Sequence, residues 1–214
     1  MAWKAASGTP AEVLTAENLA AVYGARVWVR PHPATGRPLV LSLPELPGEQ
    51  IGPARPHVHV VCGGGTGAGL LLTLHRLGFP LTAACLHTGD ADADAAQMLG
   101  IPFAEEAAFS LLSYAALENA AHLAGSADIV LLTETPFGRA NAANLEAVLA
   151  LRRAGKPVLC QQSPSSSFGA RDFTGGSASK AWASLLAEGA VVLPSADAAL
   201  TYLEQCGTST DAKR

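Results

Sequence analysis

From residue 57 onward, short apolar runs alternate with longer segments whose apolar positions recur every three or four residues. The runs fall at 57–62, 81–87, 101–104, 128–133, 157–161 and 190–193, lengths that suit strands. The segments between them, at about 67–77, 90–98, 111–124, 141–154 and 177–188, with a last one near 196–205, have the periodicity of amphipathic helices. Strands that alternate with helices in this way imply right-handed crossovers and a parallel sheet covered on both faces. The expected fold is α/β: a Rossmann-like, doubly wound, mostly parallel six-stranded sheet.

The first fifty residues follow a different pattern. "PAEVLTAENLAAVYG" predicts a short helix that ends at Gly24, with Thr15 and Asn18 as possible caps. "ARVWVRPHP" and "RPLVLSLP", joined across "PATGR", predict a β-hairpin. "PELPGEQIGPARP" then predicts a linker reaching residue 56. The expected organisation is a helix-and-hairpin appendage over 1–50, a ligand-binding domain over 57–207 and a disordered tail over 208–214.

Composition narrows the function classes. A formal charge of -4 gives no basic surface for nucleic acid. The longest apolar runs are too short to span a membrane, and no charged-then-apolar leader opens the chain, so a cytoplasmic protein is expected. Cys62, Cys85, Cys160 and Cys206 form no CxxC and are expected as reduced thiols, the first three buried at strand ends. His57 and His59 would share a strand face, but no Asp, Glu or Cys at matching spacing completes a metal site, and none is expected.

Candidate chemistry begins in "HVHVVCGGGTGAGLLLTLHRLG". Gly63, Gly65 and Ala68 satisfy G-x-G-x-x-A between a strand and a helix, the context in which backbone N–H groups and a helix N-terminus hold an anion. Gly63, Gly64, Gly65, Thr66 and Gly67 are therefore expected to contact a phosphate through unpaired amides and the Thr66 hydroxyl. No G-x-x-x-x-G-K-[ST] is present, so hydrolysis of ATP by this polypeptide is not expected. The second strand ends "CLHTGDAD", which puts His87 and Thr88 at its tip and Asp90 where it would cap the next helix rather than hold a ribose.

Other loops of the same sheet edge add candidates. "TETPFGRANAANLE" offers Glu134, a candidate ligand contact or general base, with Gly138 in the turn and Asn141 as a ligand contact or N-cap. The long loop "CQQSPSSSFGARDFTGGSASKAW" offers Arg171, for a phosphate or for Asp172, and an amide cluster at Thr174, Gly175 and Gly176. Glu105 and Glu106 are expected to be solvated or capping. No nucleophile elbow or triad spacing is present.

Residues 8–44 resemble the extreme C-terminal tail of ATPase subunits of ABC importers for iron-siderophores and cobalamin, without the Walker A, signature and Walker B segments. Residues 57–205, through "VVCGGGTGAGLLLTLHRLGF", "GDADADAAQMLGIP", "ETPFGRANAANLEAV" and "RDFTGGSASKAWASLLAEGAVVL", are similar to an extra domain that follows that tail in some prokaryotic members. The glycine loop is also loosely like that of Rossmann-like molybdenum-cofactor carrier proteins. The resemblance implies an accessory or regulatory domain that binds a nucleotide or other phosphorylated small molecule, partners ABC transporter subunits and does not enter the membrane. The alternative is an enzyme acting on a phosphorylated metabolite or corrinoid, with Glu134 as acid or base. A homo-oligomer is expected, with the hairpin at 25–42 as one candidate contact. The resemblance is compatible with a piece of a longer ATPase and with a stand-alone chain.

Overall fold

The computed structural model describes residues 6–32, 35–42 and 55–209, and the chain divides into two compact units, Met1–Gly48 and Glu49–Arg214. In the first unit the expected single helix is two. Thr9 and Glu12 form a capping box that opens α1 (Pro10–Val13), with the Thr9 N–H donating to Glu12 Oε2 at 2.8 Å. The Thr15 hydroxyl accepts from the Asn18 N–H and opens α2 (Ala16–Tyr23), and Gly24, left-handed at φ 64, closes it. Strands β1 (Val27–Pro31) and β2 (Pro38–Ser42) pair antiparallel in the expected hairpin, while part of its turn, most of the linker and the end of the tail lie outside the described residues.

In the second unit, β3 (Val58–Val61), β4 (Leu81–Ala83), β7 (Ile129–Leu132), β8 (Val158–Gln161) and β9 (Val191–Leu193) form a parallel sheet in the order β4-β3-β7-β8-β9. A separate parallel pair joins β5 (Cys85–His87) to β6 (Ala104–Glu106). The six-stranded expectation is thus corrected to five strands and a pair. The break falls at Ala84: its N–H donates to Val60 O at 3.0 Å, whereas the Ala83 N–H donates to Pro102 O at 2.8 Å. One apolar run therefore leaves β3 and takes up β6 as its partner. Followed through the break, the order is that of a doubly wound sheet whose winding reverses between β3 and β7, the place where such folds open a crevice.

Strand alternation sends Val58 and Val60 to one face, against Leu71 and Leu74 of α3 (Ala68–Arg76), α4 (Ala91–Leu99) and Leu203 of α8 (Ala196–Ser209). Val61, Val130 and Leu132 face the other way, onto Leu145 and Val148 of α6 (Ala142–Arg153) and Leu185 of α7 (Ser177–Ala187). Each fully buried leucine contributes about 1.5–3 kcal/mol, so the two layers fix the sheet and with it every loop at its carboxyl edge. On that second face α5 (Tyr114–Gly125) turns Ala116, Ala120 and Ala124 inward and forms a smaller cluster with Cys85 and Ala104. The buried thiols stay protonated: burial pushes Cys85 up to about 11 and Cys160 up to about 12.

Candidate functional site

Helix α3 begins at Gly67, which has no side chain to cap the first N–H groups. A different helix supplies the acceptor. Asp92, in the first turn of α4, accepts the Gly67 N–H at 2.9 Å and the Ala68 N–H at 2.7 Å on a single oxygen. Asp90 caps α4 itself, accepting the Asp92 N–H at 3.0 Å. Its carboxylate also accepts the Gly64 N–H at 2.8 Å and the Gly65 N–H at 3.3 Å. Gly64 and Gly65 stand at φ 68 and φ 79, a backbone that turns consecutive amides toward one acceptor.

The expectation that these amides face solvent unpaired is therefore corrected: Gly64, Gly65, Gly67 and Ala68 all donate to carboxylates of the chain. The Thr66 hydroxyl is also committed, donating to Gly63 O at 3.0 Å and sitting 2.7 Å from Thr133 Oγ1. The close backbone approach that the glycines permit is to this protein's own side chains. A Cβ on Gly63 would stand 3.3 Å from Thr135 Cγ2, and one on Gly64 would stand 3.0 Å from Pro136 Cγ.

Asp92 is sealed, and its Oδ2 is buried with no N–H or O–H donor among the described residues, facing only the weakly donating Cys62 thiol. Burial raises its pKa, the Asp90 charge adds to the rise, and the two N–H bonds oppose it. The Cys62 thiol beside it is raised well above its ordinary value, by burial first and then by Asp92 and Asp90. An acid whose folded pKa exceeds its unfolded one binds more protons in the native state, so its contribution to stability falls as pH climbs from about 4 toward the raised value. Asp92→Asn keeps an acceptor for the two amides and removes that dependence. Urea denaturation is expected to find parent and variant closest near pH 4, with the variant gaining on the parent as pH rises through the raised pKa and the gap constant above it; a gap that does not change with pH defeats this account.

The loop after β7 meets the glycine loop through Thr133 and Thr135, whose hydroxyls lie 3.0 Å apart. Glu134 accepts the Ser163 N–H at 2.8 Å and the Ser166 hydroxyl at 3.1 Å on Oε1, so the candidate acid or base braces the Ser-rich loop. Asn141 stands at the N-cap of α6, but its side chain reaches backward, accepting from the Gly138 N–H at 2.8 Å and donating to Pro136 O at 2.9 Å.

Arg171 does not pair with Asp172. Its guanidinium is buried, donates to Thr133 O, Thr135 O and Gln162 Oε1, and lies 4.5 Å from the Phe168 ring centre and 5.3 Å from that of Trp182. Asp172 instead accepts the Thr174 N–H and hydroxyl and the Ser179 N–H and hydroxyl, bonds that hold its carboxyl well below the usual range. The Thr174 amide expected for an anion is thus used by the chain, while Gly175 and Gly176 form the left-handed turn into α7 at φ 75 and φ 99. Thr88 turns away from the glycine loop, its hydroxyl donating to Glu105 Oε1 and Glu106 O. Glu106 accepts the Ser113 N–H at 2.8 Å, while the cap of α5 is the Ser113 hydroxyl, which accepts the Ala116 N–H. His57 and His59 also part ways, with His57 Nδ1 at Ser126 O and His59 Nδ1 at Thr82 Oγ1.

The loops after β3 and β7 and the start of α4 thus bring together Gly63–Gly67, Asp90, Asp92, Thr133 and Thr135, with Asn141 beside Gly63 and with Glu134 and Arg171 bracing the neighbouring loop. Asp92 was missed by the sequence reading; its signal was the pair of acids two residues apart at the start of a helix. Among known proteins, the chain is similar to the cobalamin import ATP-binding protein BtuD of Halobacterium salinarum strains R1 and NRC-1, each 33% identical over 106 residues. That alignment covers 50% of this chain and 26% of each relative, so the chain spans about a quarter of the length of the curated relatives it matches. The family model MJ0874 matches residues 81–200, from β4 through the loops after β7 and β8 into α8. With more than half of its length in that match, the chain belongs to the MJ0874 family.

Proposed function

We propose that this protein is an accessory module of an ABC importer's ATP-binding subunit of the cobalamin type, and that it binds a nucleotide or other phosphorylated small molecule at the crevice without hydrolysing ATP. One observation carries the reading: the Gly64 and Gly65 amides already hold an oxyanion, the Asp90 carboxylate, at 2.8 and 3.3 Å. The loop has the geometry of an anion nest, and its present occupant is tethered. A phosphate binds by displacing the half-buried Asp90, whose other bond, to the Asp92 N–H, keeps α4 capped. The missing P-loop lysine argues for binding over hydrolysis. The cobalamin import function of the relatives supplies the transport setting.

Asp90→Ser tests it, because serine retains an N-cap oxygen while removing the charge that competes for the nest. Titration calorimetry with ADP and with pyrophosphate is expected to give about tenfold tighter binding to the variant than to the parent at low salt, and weaker binding to both at high salt. Silence from parent and variant alike across both ligands overturns the reading.

A further inference from the structure

Helices α5 and α6 leave a cavity of about 280 Å³ between themselves and the sheet, away from the glycine loop. Its walls are Ala120, Ala121 and Ala124 of α5 and Ala147, Ala150 and Leu151 of α6; its floor is His59, Val61 and Ala84. The cavity separates the two apolar clusters of this sheet face, since the alanines that α5 turns inward are too small to reach α6.

Two polar groups of the lining, His59 on the floor and Asn144 on α6, have unused capacity. His59 is 2% exposed and its Nδ1 is 2.9 Å from Thr82 Oγ1, while Nε2 has no partner among the described residues and opens onto the cavity. Burial, with the His57 and Lys156 charges, lowers the imidazole pKa to about 4, so the ring is neutral at physiological pH. Asn144 commits Nδ2 to Cys85 O at 2.8 Å, and its Oδ1 has no partner among the described residues. An uncharged, largely apolar space with two hydrogen-bonding atoms, His59 Nε2 on the sheet and Asn144 Oδ1 on α6, disfavours ions and suits a flat apolar molecule that carries a polar atom. A cavity of about 150 Å³ takes benzene, so this one takes roughly two fused rings.

We propose that this cavity is a second binding site, for an uncharged bicyclic aromatic molecule whose single ring nitrogen hydrogen-bonds to His59 Nε2. Whether that nitrogen donates or accepts follows from the tautomer that Thr82 holds.

Three bicyclic probes of similar shape separate the parts of the proposal: indole as donor, quinoline as acceptor and naphthalene as neither. Calorimetry on the full chain is expected to show saturable binding of all three, with indole or quinoline about tenfold tighter than naphthalene. His59→Leu is expected to erase that preference and leave naphthalene affinity within about twofold. Ala147→Leu, and independently Ala121→Leu at an exposed wall position, are expected to abolish binding of all three while circular dichroism and the thermal midpoint stay at the parent level. Absence of saturable binding in the parent overturns the proposal. So does undiminished binding in both leucine variants, or a nitrogen preference that survives His59→Leu.

Discussion

Arg171→Ala is expected to destabilise the protein by about 3–5 kcal/mol in urea denaturation, the range for truncating a large buried side chain and leaving buried acceptors without a donor. The substitution leaves Thr133 O, Thr135 O and Gln162 Oε1 without their donor, and it empties the space beside the stacked Phe168 and Trp182 rings, whose centres lie 4.6 Å apart. It removes the side-chain tie between two loops and leaves only the short backbone zipper they share, in which the Phe137 N–H donates to the carbonyl of residue 171 at 2.8 Å and the Phe173 N–H to Phe137 O at 2.7 Å. Arg171→Lys is expected to recover only a minor part, because an ammonium cannot match the planar fork that reaches Thr133 O, Thr135 O and Gln162 Oε1 while lying beside the two rings. Arg171→Met retains volume and apolar contact and should fall between the two. A loss below about 1 kcal/mol for the alanine variant means that the guanidinium is not what joins these loops.

The same residue marks the limit of what the chain reveals as text. The order of strands and helices was legible because each buried strand in the second unit is a short apolar run and each covering helix has an apolar stripe; β3, β7 and β8 lie within a residue or two of their expected positions. The break at Ala84 was not legible. Residues 81–86 are buried throughout, so hydrophobicity continues across the point where pairing passes from β3 to β6. The polar side chains were legible as types and places but not as partners. Asp90 was expected to cap α4 and does, yet its second role at Gly64 spans 26 residues. Arg171 has the composition of a phosphate ligand, but burial under Phe168 and Trp182 directs it to carbonyls instead. Periodicity reports which face a residue occupies; it does not report which distant dipole meets it there.

Gly67→Ala is expected to destabilise the protein by about 3 kcal/mol, the upper range for overpacking a close-packed site. Backbone strain is not the cause, since Gly67 has φ -106, a conformation open to any residue. The obstacle is steric: a Cβ there would overlap Cys62 Cβ and lie 2.6 Å from its Sγ, and Cys62 is held at the end of a fully buried strand. Cys62→Ala should bring little relief, because its Cβ remains. Cys62→Gly should recover part of the loss, with a coupling of roughly 1–3 kcal/mol in a double-mutant cycle. Gly69, two residues on and inside α3, is the opposite case, for a Cβ there meets nothing within 4 Å. Gly69→Ala should stabilise the protein by about 0.5–1 kcal/mol through helix propensity alone. Opposite signs at two glycines of one loop-to-helix segment would show that Gly67 is required by contact with Cys62. If both positions tolerate alanine equally, the packing of the glycine loop onto the end of β3 is looser than these distances require.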